Sequence, residues 1–312
     1  MGERLDTADL PKFRDLLLSW FQTFQRELPW RKNRDPYRIW ISEVMLQQTR
    51  VAAVIPYYER FLARFPDVES LASAPQEEVL RLWSGLGYYS RARNLQHAAQ
   101  QIVARHQGKF PRQREELLAL AGIGEYTAAA ILSIAFDEKH AVLDGNVARV
   151  VSRLEAIRGD LREPKRWNKL QASADRLLAR ESSGDWNQAM MELGATLCTP
   201  RSPQCLLCPV AQFCEGRKLG IAGSLPEKPY TKAELQAYLQ HCRQKCQATI
   251  AALTDEKASQ WCKFPWVELS FAELQLYNMR HVQEHASQLS LFLGQKVGSA
   301  PDWVTQAESR AA

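Results

Sequence analysis

No apolar run in the 312 residues approaches the length of a membrane-spanning helix, so the chain offers no candidate span of that kind. The segment from Met1 to Leu10 is polar and charged and carries no apolar core of the signal-peptide type; the expectation is a cytoplasmic protein. Period-two alternation long enough to require a sheet is missing as well, as are internal repeats and low-complexity segments. A large excess of one charge is missing too: Lys and Arg number 40 against 35 Asp and Glu, a net +5 with pI near 8.8. That balance permits a polyanionic partner without demanding one. Hydrophobic residues at 46% are enough for a sizeable core, and the length allows two domains. In a reducing compartment the seven cysteines are not read as a disulfide set.

What is present is helical spacing almost throughout, and the fold class is expected to be all-α. Apolar periodicity predicts helices over 13–28, 39–48, 51–65, 76–82, 90–107, 115–120, 127–135, 146–157, 167–180 and 187–197. The centre of the chain is Leu120-Ala121-Gly122-Ile123-Gly124-Glu125-Tyr126, a glycine turn joining two of these helices, followed downstream by Leu143-Asp144-Gly145-Asn146-Val147. Gly122 and Gly124 allow positive φ and close approach of another backbone. The helix that starts after the turn aims unpaired N–H groups outward, where a phosphate can bind them. Glu43 lies in an apolar helical pattern, where burial would raise its pKa and keep a proton available near neutrality. Asp144 reads locally as a helix N-cap. Cys198, Cys205, Cys208 and Cys214 put four thiols within seventeen residues, a spacing that suits a [4Fe–4S] cluster better than zinc, for which only Cys205-x2-Cys208 is typical.

These features together resemble the helix-hairpin-helix DNA glycosylases, and most closely the MutY adenine glycosylase family, over residues from about Leu16 to Cys214. The resemblance implies a six-helix module with the hairpin (31–138) and an iron–sulfur module (1–30 with 139–216). It implies Glu43 and Asp144 as the catalytic pair, with Tyr126 and Asn146 beside Asp144. Trp30, Arg31, Leu46 and Gln188 would form the base pocket. Gln48, Thr49 and Tyr88 would lie near the opposite base, and Gly122, Ile123 and Gly124 on the DNA backbone. Endonuclease III relatives have a lysine where Tyr126 stands, and a tyrosine offers no amine nucleophile. The implied protein is therefore a monofunctional, monomeric glycosylase of double-stranded DNA that flips out a purine.

The tail departs from the family. After a linker (217–230), the stretch 231–297 resembles half of a DinB-type helical bundle, with helices over 232–253 and 270–292 joined by a Trp/Pro loop around 261–266, and a disordered end (298–312). His241, His281 and His285 are candidates for a second metal site, against the plainer reading of core histidines. The MutT-like domain that reads 8-oxoguanine in the family is not recognisable. Three readings follow: adenine excised from a mispair such as A opposite 8-oxoguanine; a deaminated purine (hypoxanthine, xanthine, oxanine) excised whatever lies opposite; or a DNA-binding protein without catalysis.

Overall fold

The computed structural model describes residues 5–227 without a break and, beyond them, 236–237, 240, 244, 247–248, 251–252, 254–264 and 267–270. The chain divides into two compact units, Met1–Pro229 and Tyr230–Ala312.

The larger unit is helical: α1 (Leu10–Phe24), α2 (Pro36–Leu46), α3 (Val51–Arg64), α4 (Val68–Ser73), α5 (Gln76–Trp83), α6 (Ser90–His106), α7 (Arg114–Leu118), α8 (Glu125–Phe136), α9 (Gly145–Leu154), α10 (Pro164–Leu177), α11 (Ser183–Thr196) and α12 (Glu215–Lys218). Two apolar cores organise it. One joins α1 to α9, α10 and α11 through Phe13, Leu17, Val151, Leu170 and Trp186; the other gathers α2 to α8 around Trp40, Phe61, Trp83 and Ile131. Helix α8 belongs to both, because it is apolar on every face. Ala128, Ile131 and Leu132 serve one core, Ala130 and Ile134 the other. Its alanines let α2 pack closely along it. A cavity opens where these two cores meet.

Helix starts follow local chemistry. Asp35 caps α2 by accepting from the N–H groups of Tyr37 and Arg38, with Pro36 at the first helical position. Asp144 caps α9 through Val147 N–H at 2.7 Å. Between α7 and α8 the turn is tight: Gly122 takes φ 72°, and a Cβ there would lie 2.7 Å from Cβ of Asn94. Only that glycine needs the left-handed region. Gly124, expected to share the requirement, is extended at φ −101°, ψ −178°, and serves as the N-cap of α8.

In the smaller unit the described residues between 236 and 251 are helical, and a four-residue helix follows at Asp255–Ala258. Where the sequence pointed to a loop around 261–266, an antiparallel hairpin forms instead, β1 (Trp261–Phe264) with β2 (Val267–Ser270), pairing Trp261 with Ser270 and Phe264 with Val267. Four-residue strands are too short to leave a readable alternation. His241, His281 and His285 fall outside the described residues.

Candidate active site and iron–sulfur centre

Glu43 sits on the buried face of α2, 6% exposed, among Trp40, Ile41, Val44 and Met45. Tyr126, the second residue of α8, donates its hydroxyl to Glu43 Oε2 at 2.5 Å and also contacts Met191 Sδ at 3.3 Å. Burial pushes the Glu43 carboxyl up to about 7; the Tyr126 hydrogen bond and the charge of Arg31 pull it down, and nearby Asp144 pushes it up. Burial, with the charges of Glu43 and Asp144, raises the Tyr126 phenol well above its ordinary value, so Tyr126 stays a neutral donor.

Asp144 approaches from the other core. One of its oxygens caps α9; the other accepts from Asn146 Nδ2 at 2.9 Å. Arg149, four residues after Gly145, fixes Asn146 by donating to its Oδ1 at 2.8 Å. Gly194 of α11 lets this corner close, because a Cβ there would stand 2.7 Å from Cβ of Asn146. Glu43 and Asp144 thus line the same cavity, of about 500 Å³. Trp30, Arg31, Leu46, Gln48, Thr49, Tyr126, Asn146 and Gln188 line it with them.

The remaining sequence-assigned residues lie elsewhere. Tyr88 is not in the cavity wall; it stands 39% exposed in the glycine loop before α6. Gly122 and Gly124 are exposed at the hairpin. Ile123 cannot meet DNA through its side chain, which is buried, and its N–H is spent on the Leu120 carbonyl at 3.2 Å. It anchors the turn from below.

Several residues that the sequence reading passed over complete the site. Glu192, 1% exposed, accepts from Arg26 Nε at 2.7 Å, Arg26 Nη2 at 2.8 Å and Arg31 Nη2 at 2.9 Å. Burial alone would raise its carboxyl, but the hydrogen bonds and charges of Arg26 and Arg31 hold it below the usual carboxylate range. Arg31 is thereby locked, its other nitrogen donating to the Arg26 carbonyl and its guanidinium carbon 5.2 Å from the Phe21 ring centre. A signal existed: Glu192 follows Gln188 by four residues and shares its helix face.

Cys198, Cys205, Cys208 and Cys214 are free thiols that face one small cavity after α11. Burial pushes the Cys208 thiol up to about 12, with the other three sulfurs adding to the shift, and raises Cys214 likewise. Four mutually repelling, half-buried sulfurs are stable as thiolates only around a cationic centre. The four sulfurs line one cavity, and an all-thiolate donor set of this kind fits an iron–sulfur cluster. Arg153, 1% exposed, ties the loop to α9 through the carbonyls of Cys198, Thr199, Pro200 and Leu225, and its own carbonyl accepts from Cys214 Sγ.

Comparison with known proteins agrees with this geometry. The HhH-GPD superfamily base excision DNA repair proteins match residues 41–174, and the iron–sulfur binding domain of endonuclease III matches residues 198–214. An adenine DNA glycosylase of Mus musculus is 47% identical over 236 residues, covering 72% of this chain and 46% of its own length. That of Homo sapiens is 46% identical over 239 residues, covering 72% and 44%. Among solved structures, a thermostable thymine-DNA glycosylase is 30% identical with a TM-score of 0.61, over 68% of this chain and 98% of that one. A non-covalent endonuclease III–DNA complex gives 26% and 0.58, over 70% and 99%. The chain belongs to the HhH-GPD superfamily.

As a member of that superfamily it has the helix-hairpin-helix glycosylase fold, with α7, the Gly122 turn and α8 as the hairpin, and its four cysteines are the ligand set of an iron–sulfur site. It spans somewhat under half the length of the mammalian relatives it matches. Among the described residues no helix is long and apolar enough to cross a membrane.

Proposed function

We propose that this protein is a DNA glycosylase that extrudes a mispaired adenine from duplex DNA and hydrolyses its glycosidic bond. The observation that carries the reading is the juxtaposition of Glu43 and Asp144 on one cavity of about 500 Å³, within the roughly 300–1,000 Å³ range of small-ligand sites. A carboxyl with a pKa of about 7 keeps its proton through much of the neutral range, so Glu43 is the general acid for a ring nitrogen of the leaving purine. As that proton transfers, the bond electrons pass to the base and cationic charge develops at the anomeric carbon. Asp144, held by the α9 N–H and by Asn146, faces that charge and stabilises or traps it, the two-carboxylate logic of glycoside hydrolysis. Water then adds at the anomeric carbon and its proton returns to Glu43. Locked by Glu192, Arg31 offers fixed donors to the acceptor edge of the base, while Trp30 and Leu46 supply apolar surface.

Three further features support the reading. The cavity wall holds no lysine among the described residues, which favours base release without strand cleavage. The start of α8 is capped by no side chain, which leaves its N–H groups for a phosphate. Relatives 46–47% identical to this chain are named adenine DNA glycosylases. Cys198, Cys205, Cys208 and Cys214 would hold the iron–sulfur cluster, which would stiffen a loop whose exposed Arg201, Arg217 and Lys218 can meet a DNA backbone.

A duplex panel tests this. Adenine should be released from A opposite 8-oxoguanine and spared in A·T, and the abasic strand should break only on alkali treatment. Asp144→Asn should keep duplex binding and abolish release. Release confined to hypoxanthine, xanthine or oxanine would turn the assignment to a lesion purine; binding without release of any base would make the protein a scaffold.

A further inference from the structure

Two short loops, 47–50 between α2 and α3 and 84–89 between α5 and α6, each hold one non-glycine residue in the left-handed region: Gln48 at φ 57° and Tyr88 at φ 48°. Side chains other than glycine, asparagine and aspartate rarely adopt that conformation, and it persists only where the surroundings over-determine it. One side chain bonds both loops: Arg91, in the first turn of α6. Its Nη1 donates to the carbonyls of Val44 at 2.9 Å, Met45 at 3.2 Å and Gln47 at 2.5 Å, at the end of α2. Its Nη2 donates to the carbonyls of Leu86 at 3.1 Å and Gly87 at 3.3 Å and reaches Thr49 Oγ1 at 3.5 Å. The Trp83 and Tyr88 ring centres lie 5.4 and 5.6 Å from its guanidinium carbon. Its Nε is buried with no partner, so the orientation that serves the two loops is kept although it leaves a donor unsatisfied.

An arginine needed only to finish α2 would require one loop, not two. Here one rigid planar fork spans both, and a shift of either loop is felt by the other. Gln48 and Thr49 also line the cavity that holds Glu43 and Asp144, and Tyr88 is exposed to solvent. We propose that Arg91 is a positioning residue that locks the 47–50 and 84–89 loops into one body, so that Gln48 and Tyr88 enter a base stack together as the target base leaves it. The inference rests on the glycosylase reading. A lysine keeps the charge but gathers its three donors at one nitrogen, without the planar fork that here gives a separate nitrogen to each loop.

The full chain with its cluster is used, carrying Asp144→Asn to stop base release. A duplex with 2-aminopurine at the target position reports extrusion as a rise in fluorescence. Adding Arg91→Lys should leave duplex affinity within about fivefold while lowering the extrusion equilibrium roughly tenfold, because the loops then enter the stack separately. A further Gln48→Asn, which tolerates left-handed backbone, should restore part of the rise. Melting temperature and iron–sulfur absorbance should match the parent. An undiminished rise in Arg91→Lys overturns the proposal. So does a loss of fluorescence matched by a fall in melting temperature and not restored by Gln48→Asn, which would make Arg91 an ordinary fold-stabilising residue. A parent that gives no rise with any duplex overturns it too, since no extrusion then exists for the loops to serve. Failure of the glycosylase reading is separate: wild-type protein would release no adenine from the same sequence.

Discussion

At the residue scale, Glu43, the proposed general acid, is buried at a cost in stability. Its pKa rises from the ordinary 4.5 to about 7, chiefly by burial. The folded state therefore binds a proton more tightly than the unfolded chain does. By linkage, the stability is fully present below about 4.5 and falls as pH rises through about 7. The shift corresponds to about 3 kcal/mol at alkaline pH, an order-of-magnitude figure. Glu43→Gln, which never ionises, should thus raise the melting temperature at pH 8.5 relative to wild type, with little difference at pH 5. Base release by the same variant should fall by at least about 100-fold, the typical contribution of a general acid. Wild-type release should itself decline above pH 7, as the protonated fraction of Glu43 falls. Thermal melts at the two pH values check the first statement and single-turnover assays the second; a variant destabilised at both pH values would mean that the carboxylate is paired rather than desolvated.

At the level of elements, the hairpin separates two glycines that look alike in sequence. Gly122→Ala has to place a methyl group at φ 72° and 2.7 Å from Asn94, and should cost about 1–2 kcal/mol, several degrees of melting temperature. Gly124→Ala meets nothing within 4 Å and keeps an allowed extended backbone, so stability should hold within about 0.5 kcal/mol. The new methyl would stand over the start of α8, where a phosphate is proposed to bind. Duplex affinity should drop and the slope of log affinity against log salt should lessen by about 1, as for one lost phosphate contact. An unchanged slope would remove α8 from the DNA contact. Most of this architecture could be read beforehand, because long amphipathic helices declare their period. Their ends could not. Helix α2 begins at Pro36 rather than at Ile39, because an Asp-Pro pair is itself a start signal, and α4, six residues long, shows less than two turns of periodicity. The buried charges escaped for another reason. Glu192, Arg91, Arg149 and Arg153 look like solvated helix positions until the chain folds, since their partners lie 44 to 166 residues away or on main-chain carbonyls that carry no sequence signature.

For the molecule as a whole, the iron–sulfur loop and the catalytic corner share one helix. Arg149 joins Asn146 to the Cys198 carbonyl (2.8 Å in each case), and Arg153, one turn further along α9, holds that same carbonyl at 3.1 Å with those of Thr199 and Pro200. Asp144, its partner Asn146 and the cysteine loop are thus consecutive stations along α9, while Glu43 stands on α2 in the other core. Loss of the cluster would free the loop and leave four half-buried sulfurs facing one another, but the core from α2 to α8 contains none of those cysteines. Removing iron should therefore keep most of the far-ultraviolet helical signal and speed proteolysis within 198–225. Duplex affinity should weaken as Arg201, Arg217 and Lys218 lose their fixed places, and base release at saturating protein should fall less than affinity does. The expected order is binding first, chemistry second, because Asp144 keeps its cap on Val147 and its bond from Asn146 without the loop. Limited proteolysis and single-turnover rates on the iron-free protein would decide it. If chemistry collapsed while affinity survived, α9 would be carrying the cluster's presence to Asp144, and the loop would have to be counted as part of the catalytic corner.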